Sequence, residues 1–237
     1  MYKKGKYRET DKMSDLICDN YPMLLVMSRF GISMGFGEKN IKEVCKSNNV
    51  DTCTFLTVVN FLLNDEHTDV DVARLSECFS MDALISYLQN SHTYFLDFRL
   101  PNIRRKLILA IETCPKDVAF VIQQFFDEYA DEVFKHMQYE EKVVFPYVRG
   151  LLKGVKDSRY NISIFKKRHD QIEMKIIGLK NLIIKYYPGK GSDLLNSVLF
   201  DIFSCEQELA SHSIIEDHMF TPTIMELERK ISTDHER

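Results

Sequence analysis

One motif occurs twice in this chain: a histidine, a glutamate four residues later, and an aromatic residue and proline close behind. The first copy is HMQYEEKVVFP, residues 136–146, and the second is HSIIEDHMFTP, residues 212–222. At about 100° per residue, side chains four apart differ by roughly 40° around a helix, so imidazole and carboxylate point the same way, one turn apart. Facing helices that carry such pairs form metal sites in helical bundles. The repeat therefore predicts two chelating helices with four ligands: His136, Glu140, His212 and Glu216.

The composition favours an all-α fold. Glycine and proline number only nine and six in 237 residues, and no segment shows sustained alternation of apolar and polar residues. Few helix breakers and no strand periodicity indicate helices. Hydrophobic residues at 45% and charged residues at 28% indicate a globular chain with an ample core.

Four long helical patterns follow residue 81. They cover residues 81–111, with a kink or break at Pro101, and then 116–147, 162–187 and 193–220. Short loops between long amphipathic helices predict an up-down-up-down four-helix bundle.

Shorter helices precede the bundle. The patterns place them at residues 13–29, broken near Pro22, and at 39–47 and 51–63, with the polar stretch 64–71 as a linker. We expect residues 1–78 to form a small helical N-terminal domain and residues 79–237 to form the bundle.

Each bundle helix offers one inward histidine. A bundle core holds several imidazoles and carboxylates only when something satisfies them, because an unpaired buried charge costs several kcal/mol, on the order of 3–5 when a partner is removed. A pair of metal ions would satisfy six side chains: His92, His136, Glu140, His169, His212 and Glu216. Glu141 and Asp217 lie a further ~100° around their helices and are expected behind the ligands or at the surface.

The donor set indicates iron. Imidazole and carboxylate without thiolate suit iron, manganese or zinc better than copper(I), and two bridging carboxylates match the di-iron pattern of bundle proteins. With a bridging oxygen as well, each ion would reach about five ligands and keep one open position for nitric oxide, oxygen or peroxide. We therefore expect two non-heme iron ions with oxo and carboxylate bridges; manganese and zinc stay open.

Charge and hydropathy exclude other classes of protein. A net charge of -4 and a pI near 6.0 argue against a nucleic-acid partner. The N-terminal residues lack the apolar core of a signal peptide, and the longest apolar run, residues 55–63, is too short to span a bilayer. We expect a cytoplasmic protein without a membrane partner.

Its six cysteines form no Cys-x-x-Cys and are expected to be buried thiols. The oligomeric state stays open, a homodimer included.

These residues carry a family resemblance. From about Leu84 to Pro222 the chain resembles the hemerythrin-like cation-binding domain, and its first ~60 residues resemble the N-terminal domain of the bacterial repair-of-iron-centres proteins. The motifs behind the resemblance are, in chain order, Tyr21-Pro22, Arg29-Phe-Gly31-Ile32, His92 before Leu100-Pro101, His136-x-x-x-Glu140-Glu141 before Phe145-Pro146, His169-Asp170, and His212-x-x-x-Glu216 before Phe220-x-Pro222.

The resemblance implies a cytoplasmic non-heme di-iron protein of the nitrosative and oxidative stress response. Such a protein helps to restore damaged iron-sulfur clusters by releasing iron. Two features depart from the family pattern. Residues 31–38 read GISMGFGE where the family carries GIDFCCGG, so the adjacent cysteine pair is absent, and His92 lies nine residues before Pro101 rather than eight.

Two other functions stay open. One is a di-iron sensor or carrier of oxygen or nitric oxide, which signals through the N-terminal helices to a protein partner. The other is an interaction bundle whose site is empty.

Overall fold

The computed structural model of the protein describes residues 6–64, 79–155, 160–163, 169–188 and 193–235. In these ranges the regular structure is helical, and extended backbone pairs only at an isolated bridge between Lys12 and Asn40. The all-α class and the bundle with a helical N-terminal region are confirmed.

Short helices form the N-terminal region: α1 Met13–Asp19, α2 Met23–Arg29, α3 Ile41–Ser47 and α4 Thr52–Leu62. The expected break near Pro22 lies between α1 and α2. Side chains cap two of the helix starts: Asn40 and Glu43 form a reciprocal capping box on α3, and the Asp51 carboxylate accepts the Thr54 N–H at the start of α4. The expected linker, apart from Asn64, falls outside the described residues.

Three of the four bundle helices contain a π-helical segment. The first bundle helix, residues 81–110, consists of α5 Met81–Thr93, π1 Tyr94–Arg99 and α6 Leu100–Ala110. The second, residues 116–152, consists of α7 Lys116–Tyr139, π2 Glu140–Val144 and α8 Phe145–Leu152. The third is α9 His169–Tyr186. The fourth, residues 193–235, consists of α10 Asp193–Ile215, π3 Glu216–Phe220 and α11 Thr221–His235.

Pro101, Pro146 and Pro222 lie within continuous helices. The sequence had instead indicated a kink or break at Pro101 and helix ends near Pro146 and Pro222. Each lies just after a π segment, and the residue before it donates its N–H to the carbonyl five positions back: Leu100 to Phe95, Phe145 to Glu140, and Thr221 to Glu216. Proline lacks an N–H, and its ring clashes with the carbonyl four residues earlier in an α-helix. The wider π turn takes up the proline, and the helix continues.

The helix ends therefore differ from those expected. The second bundle helix continues past Tyr147 to Leu152, and the fourth continues past Phe220 to His235. The third is described from His169, whereas a start at Ile162 was expected; residues 164–168 lie outside the described ranges.

The described residues divide into two compact units. One comprises residues 92–213 and contains the core of the bundle, to which all four bundle helices contribute fully buried apolar side chains. Among them are Ile103, Leu107, Ile122, Phe126, Val133, Ile176, Leu179, Val198 and Ile202.

Ion pairs connect neighbouring bundle helices within the same unit. They join the first helix to the second, the second to the third, the third to the fourth, and the fourth back to the first. The four pairs are Arg104–Asp127, Glu128–Lys175, Lys180–Glu206 and Asp201–Arg99. This closed ring of neighbours is the arrangement of a four-helix bundle.

The other unit comprises residues 1–91 and 214–237. In it, α5 packs against the N-terminal helices: the ring of Phe30 lies 5.3 Å from that of Phe55 and 4.8 Å from that of Tyr87. The Asn90 amide donates to the Arg29 carbonyl at 2.7 Å. Residues 81–91 thus share a core with α2 and α4, and a domain boundary after residue 78 stays a prediction.

The cysteines only partly match the expectation of buried thiols. Cys45 and Cys205 are buried and free, and burial raises the pKa of the Cys45 thiol to about 11. Cys18 is exposed and Cys53 is disulfide-bonded, so the expectation is wrong at both. Cys114 is half-buried.

Among the described helices, none combines the length and apolar character that crossing a bilayer requires.

Phe126 and Phe120 give a matched test of the bundle core, since both lie on α7 but differ in exposure at 1% and 67%. Phe126→Ala should lower the free energy of unfolding by about 3–5 kcal/mol through lost burial and a cavity. Phe120→Ala should change it by less than about 0.5 kcal/mol. Chemical denaturation followed by circular dichroism measures both, and equal losses would contradict the assigned core.

Candidate metal centre

Three of the expected histidine ligands lie at equivalent places in the fold. His92, His136 and His212 each occupy the last turn of an α-helical segment, just before a π segment. Their side chains are 3%, 6% and 1% exposed. The helix faces read from the sequence therefore bring these imidazoles into the protein interior.

Glu140 connects two of these histidines. Its side chain is fully buried, with Oε2 2.7 Å from His92 Nε2 and Oε1 2.9 Å from His136 Nε2. The His136 contact is the expected pair one helical turn apart, whereas the His92 contact crosses from the second bundle helix to the first. Each carboxylate oxygen thus faces a different imidazole.

Glu216 follows His212 by one turn of the same continuous helix and is also fully buried. His92, Glu140, His212 and Glu216 each offer one donor atom, and these four atoms all lie within 4.8 Å of one another. Two imidazoles and two carboxylates at this separation can hold a cation.

Aromatic rings pack around the imidazoles. Phe145 stacks on His92, with 5.6 Å between ring centroids and 17° between the planes. Phe95 meets His212 edge-on at 6.1 Å, and the rings of His92 and His212 are 5.3 Å apart. In the sequence, Phe145 was recognised only as part of the repeated motif. In the structure it also packs against an imidazole of the site.

Glu141 has a more definite place than the sequence predicted. Its Oε1 lies 2.9 Å from His92 Nδ1, and its side chain is 27% exposed. One imidazole therefore faces carboxylates of two consecutive residues. The only sequence signal for this contact was a second acidic residue directly after the candidate ligand.

Two further histidines, His169 and His218, do not belong to the cluster of donors that the structure describes. His169 begins α9, but its side chain lies outside the described part of the structure, so its role as a ligand stays a prediction. His218, which was expected on another face, is half-buried within π3 and is not one of the four clustered donors.

The donor chemistry fits a hard or borderline cation. Imidazole nitrogens and carboxylate oxygens suit iron, manganese and zinc, and the four clustered residues contribute no thiolate. Two buried carboxylates within 4.8 Å of each other also repel, and a cation between them removes that repulsion.

The comparison with protein families agrees with this geometry. The family model of the hemerythrin HHE cation binding domain matches residues 83–224, which is more than half of the chain and includes all six candidate ligands. The chain belongs to the hemerythrin HHE cation binding domain family. The HHE domain begins within α5 and ends within α11, so it contains all three π segments.

A curated relative extends the comparison beyond the HHE domain. The chain is 22% identical over 200 residues to the iron-sulfur cluster repair protein ScdA of Staphylococcus haemolyticus (strain JCSC1435). The similarity covers 82% of this chain and 88% of that protein. No solved structure matches the chain.

Metal binding by the HHE domain should stabilise the fold. A cation that binds only the folded state adds about 2.7 kcal/mol at a free concentration one hundred times its dissociation constant. We expect anaerobic addition of Fe²⁺ to raise the thermal unfolding midpoint of metal-free protein. Glu140→Ala should abolish that rise, and Glu128→Ala, which changes an exposed carboxylate on α7, should leave it intact. A rise of the same size in Glu140→Ala would place the cation elsewhere.

Proposed function

We propose that this protein holds two non-heme iron ions in its HHE domain and acts in the repair of damaged iron-sulfur clusters. The proposed ligands are His92, His136, Glu140, His169, His212 and Glu216. The observation that most supports this proposal is the position of Glu140. Its side chain is fully buried, and its two oxygens lie 2.7 and 2.9 Å from nitrogens of two different histidines. Glu140 would hold a cation together with these imidazoles, and sets of imidazole and carboxylate of this kind hold metal pairs in helical bundles.

The surrounding side chains define what the protein would contribute. His92, His136 and His212 would supply nitrogen donors, and Glu140 and Glu216 would supply negative charge that balances the cations. Phe95 and Phe145 line the imidazoles and limit water around them. An iron pair in this setting supplies a Lewis-acidic, redox-active position for nitric oxide, oxygen or peroxide.

The repair role is supported by the similarity to ScdA, which covers 82% of this chain and is therefore longer than the HHE domain alone. Damaged iron-sulfur proteins are then the proposed partners, and iron is the proposed cargo. We propose that this takes place in the cytoplasm. A homodimer is compatible with the proposal but not required by it.

A sensor or carrier is the second candidate, favoured by one feature of the N-terminal region. The run 31–38 contains no cysteine, and Gly35 lies there with φ 87°. Metal transfer by an adjacent thiol pair in this loop is therefore not available to the chain. A protein that binds nitric oxide or oxygen and signals through its N-terminal helices needs no such thiols.

Metal analysis tests the iron pair. Protein purified without added metal should contain about two irons per chain if every proposed ligand contributes. His136→Ala and Glu140→Ala should each lose most of this iron, because each removes a donor that the others cannot replace. Glu128→Ala serves as the control and should keep the wild-type content. Manganese or zinc in place of iron would correct the metal, and a full complement in Glu140→Ala would reject the site.

An assay on a damaged enzyme separates the two functions. Iron-loaded wild-type protein should restore activity to an iron-sulfur hydratase inactivated by nitric oxide, and the Glu140→Ala variant should restore little. Failure of a fully loaded sample would contradict the repair role. If nitric oxide nonetheless changed the absorption spectrum of the loaded sample, the sensor or carrier function would be supported.

A further inference from the structure

The imidazole of His92 lies between two carboxylates. It is 3% exposed, its Nε2 faces Glu140 Oε2 at 2.7 Å, and its Nδ1 faces Glu141 Oε1 at 2.9 Å. Both carboxylates come from the start of π2 on the neighbouring helix. Consecutive residues of one helix thus contact opposite sides of one ring.

The protonation state of an imidazole limits how many hydrogen bonds it can donate to these two carboxylates. A carboxylate only accepts hydrogen bonds, and a neutral imidazole carries a single N–H. Neutral His92 can therefore donate to Glu140 or to Glu141, but not to both. A cation shared by Nε2 and Glu140 resolves the choice, because Nε2 then uses its lone pair and the proton lies on Nδ1, which donates it to Glu141.

The side of the ring occupied by Glu141 shows that its role differs from that of Glu140. Its oxygen approaches Nδ1, across the ring from the nitrogen that faces Glu140. The carboxylate is also 27% exposed, so it retains contact with water, whereas Glu140 is fully buried. Glu141 is thus placed to orient a ligand rather than to bind the metal itself.

We propose that Glu141 is a positioning residue of the metal centre, which holds His92 with its proton on Nδ1 and its Nε2 directed at the cation. This inference rests on the proposed function, since it requires His92 to be a ligand. A carboxylate that accepts the second N–H of a histidine ligand fixes the ring orientation and makes the ligand nitrogen more basic. The pairing also assigns Glu141 a role that its position in the sequence left undecided.

Iron affinity tests the proposal. Glu141→Ala should weaken Fe²⁺ binding by about 10–100-fold in anaerobic competition with a chelator, the usual effect of losing such a partner. The iron content at saturating metal should stay at the wild-type value, because every donor is still present. Glu141→Gln should keep most of the affinity, since its amide oxygen accepts the Nδ1 proton. Glu128→Ala, on the same helix, should bind iron like wild type.

The position of the His92 proton gives a second test. If Glu141 only stabilised the fold, replacing it would not change which nitrogen carries this proton or how fast the proton exchanges with water. In Zn²⁺-loaded protein labelled with ¹⁵N-histidine, long-range NMR correlations should show the proton of His92 on Nδ1. That proton should exchange with water faster in Glu141→Ala and stay protected in Glu141→Gln. Faster exchange in Glu141→Ala with an unchanged ultraviolet circular dichroism spectrum would assign the effect to the contact rather than to misfolding.

The outcomes separate this inference from the proposed function. If wild type binds iron and His136→Ala loses it, but Glu141→Ala binds as tightly as wild type, the positioning role is overturned and the metal centre stands. A proton on Nε2 of His92 in the zinc-loaded protein would overturn it as well. If wild-type protein binds no iron, the proposed function fails and the positioning role fails with it.

Discussion

Two carboxylates buried beside imidazoles are the constraint on which the rest of this structure depends. Glu140 and Glu216 have no exposed surface, and their donor atoms lie within 4.8 Å of each other. Ionised groups in such a place cost several kcal/mol, on the order of 3–5 once a compensating partner is removed. The imidazoles of His92 and His136 lie 2.7 and 2.9 Å from the oxygens of Glu140, and a cation bound among these groups would offset the cost. The apolar core of the bundle holds together the helices that carry these groups.

The π segments position the donors along the helices. Each begins within four residues after one of the buried histidines His92, His136 and His212, and both buried glutamates are the first residue of their segment. The extra residue in a π turn changes the direction of the side chains that follow, which is why π segments recur at functional sites. Here the same turn accommodates the proline six positions after Phe95, Glu140 or Glu216. The π turn that follows the candidate donors therefore lets each of these helices continue through its proline.

The similarity to ScdA favours a repair function, whereas the loop at residues 31–38 lacks the cysteine pair that the resemblance led us to expect. The similarity spans most of both chains and is longer than the HHE domain alone. Yet the loop has glycine and phenylalanine at positions 35 and 36 where adjacent cysteines would stand. In the proposed function, transfer of iron would then rely on the carboxylates and imidazoles of the buried site rather than on a thiol pair in this loop.

The sequence by itself determined the helix class, the four long bundle helices and the inward faces of His92, His136 and His212. These features follow from local periodicity, because a buried helix face must repeat its apolar residues every turn. The spacing of His136 and Glu140 likewise fixed their contact, since both lie on one helix. Tertiary structure alone decided the contacts between helices: the approach of Glu140 to His92, the stacking of Phe145 and the place of Glu141. It also decided that the prolines lie within continuous helices, because the wider π turn that takes up each proline leaves no signal in the sequence spacing. Sequence spacing describes one helix at a time, whereas a metal centre is made where several meet.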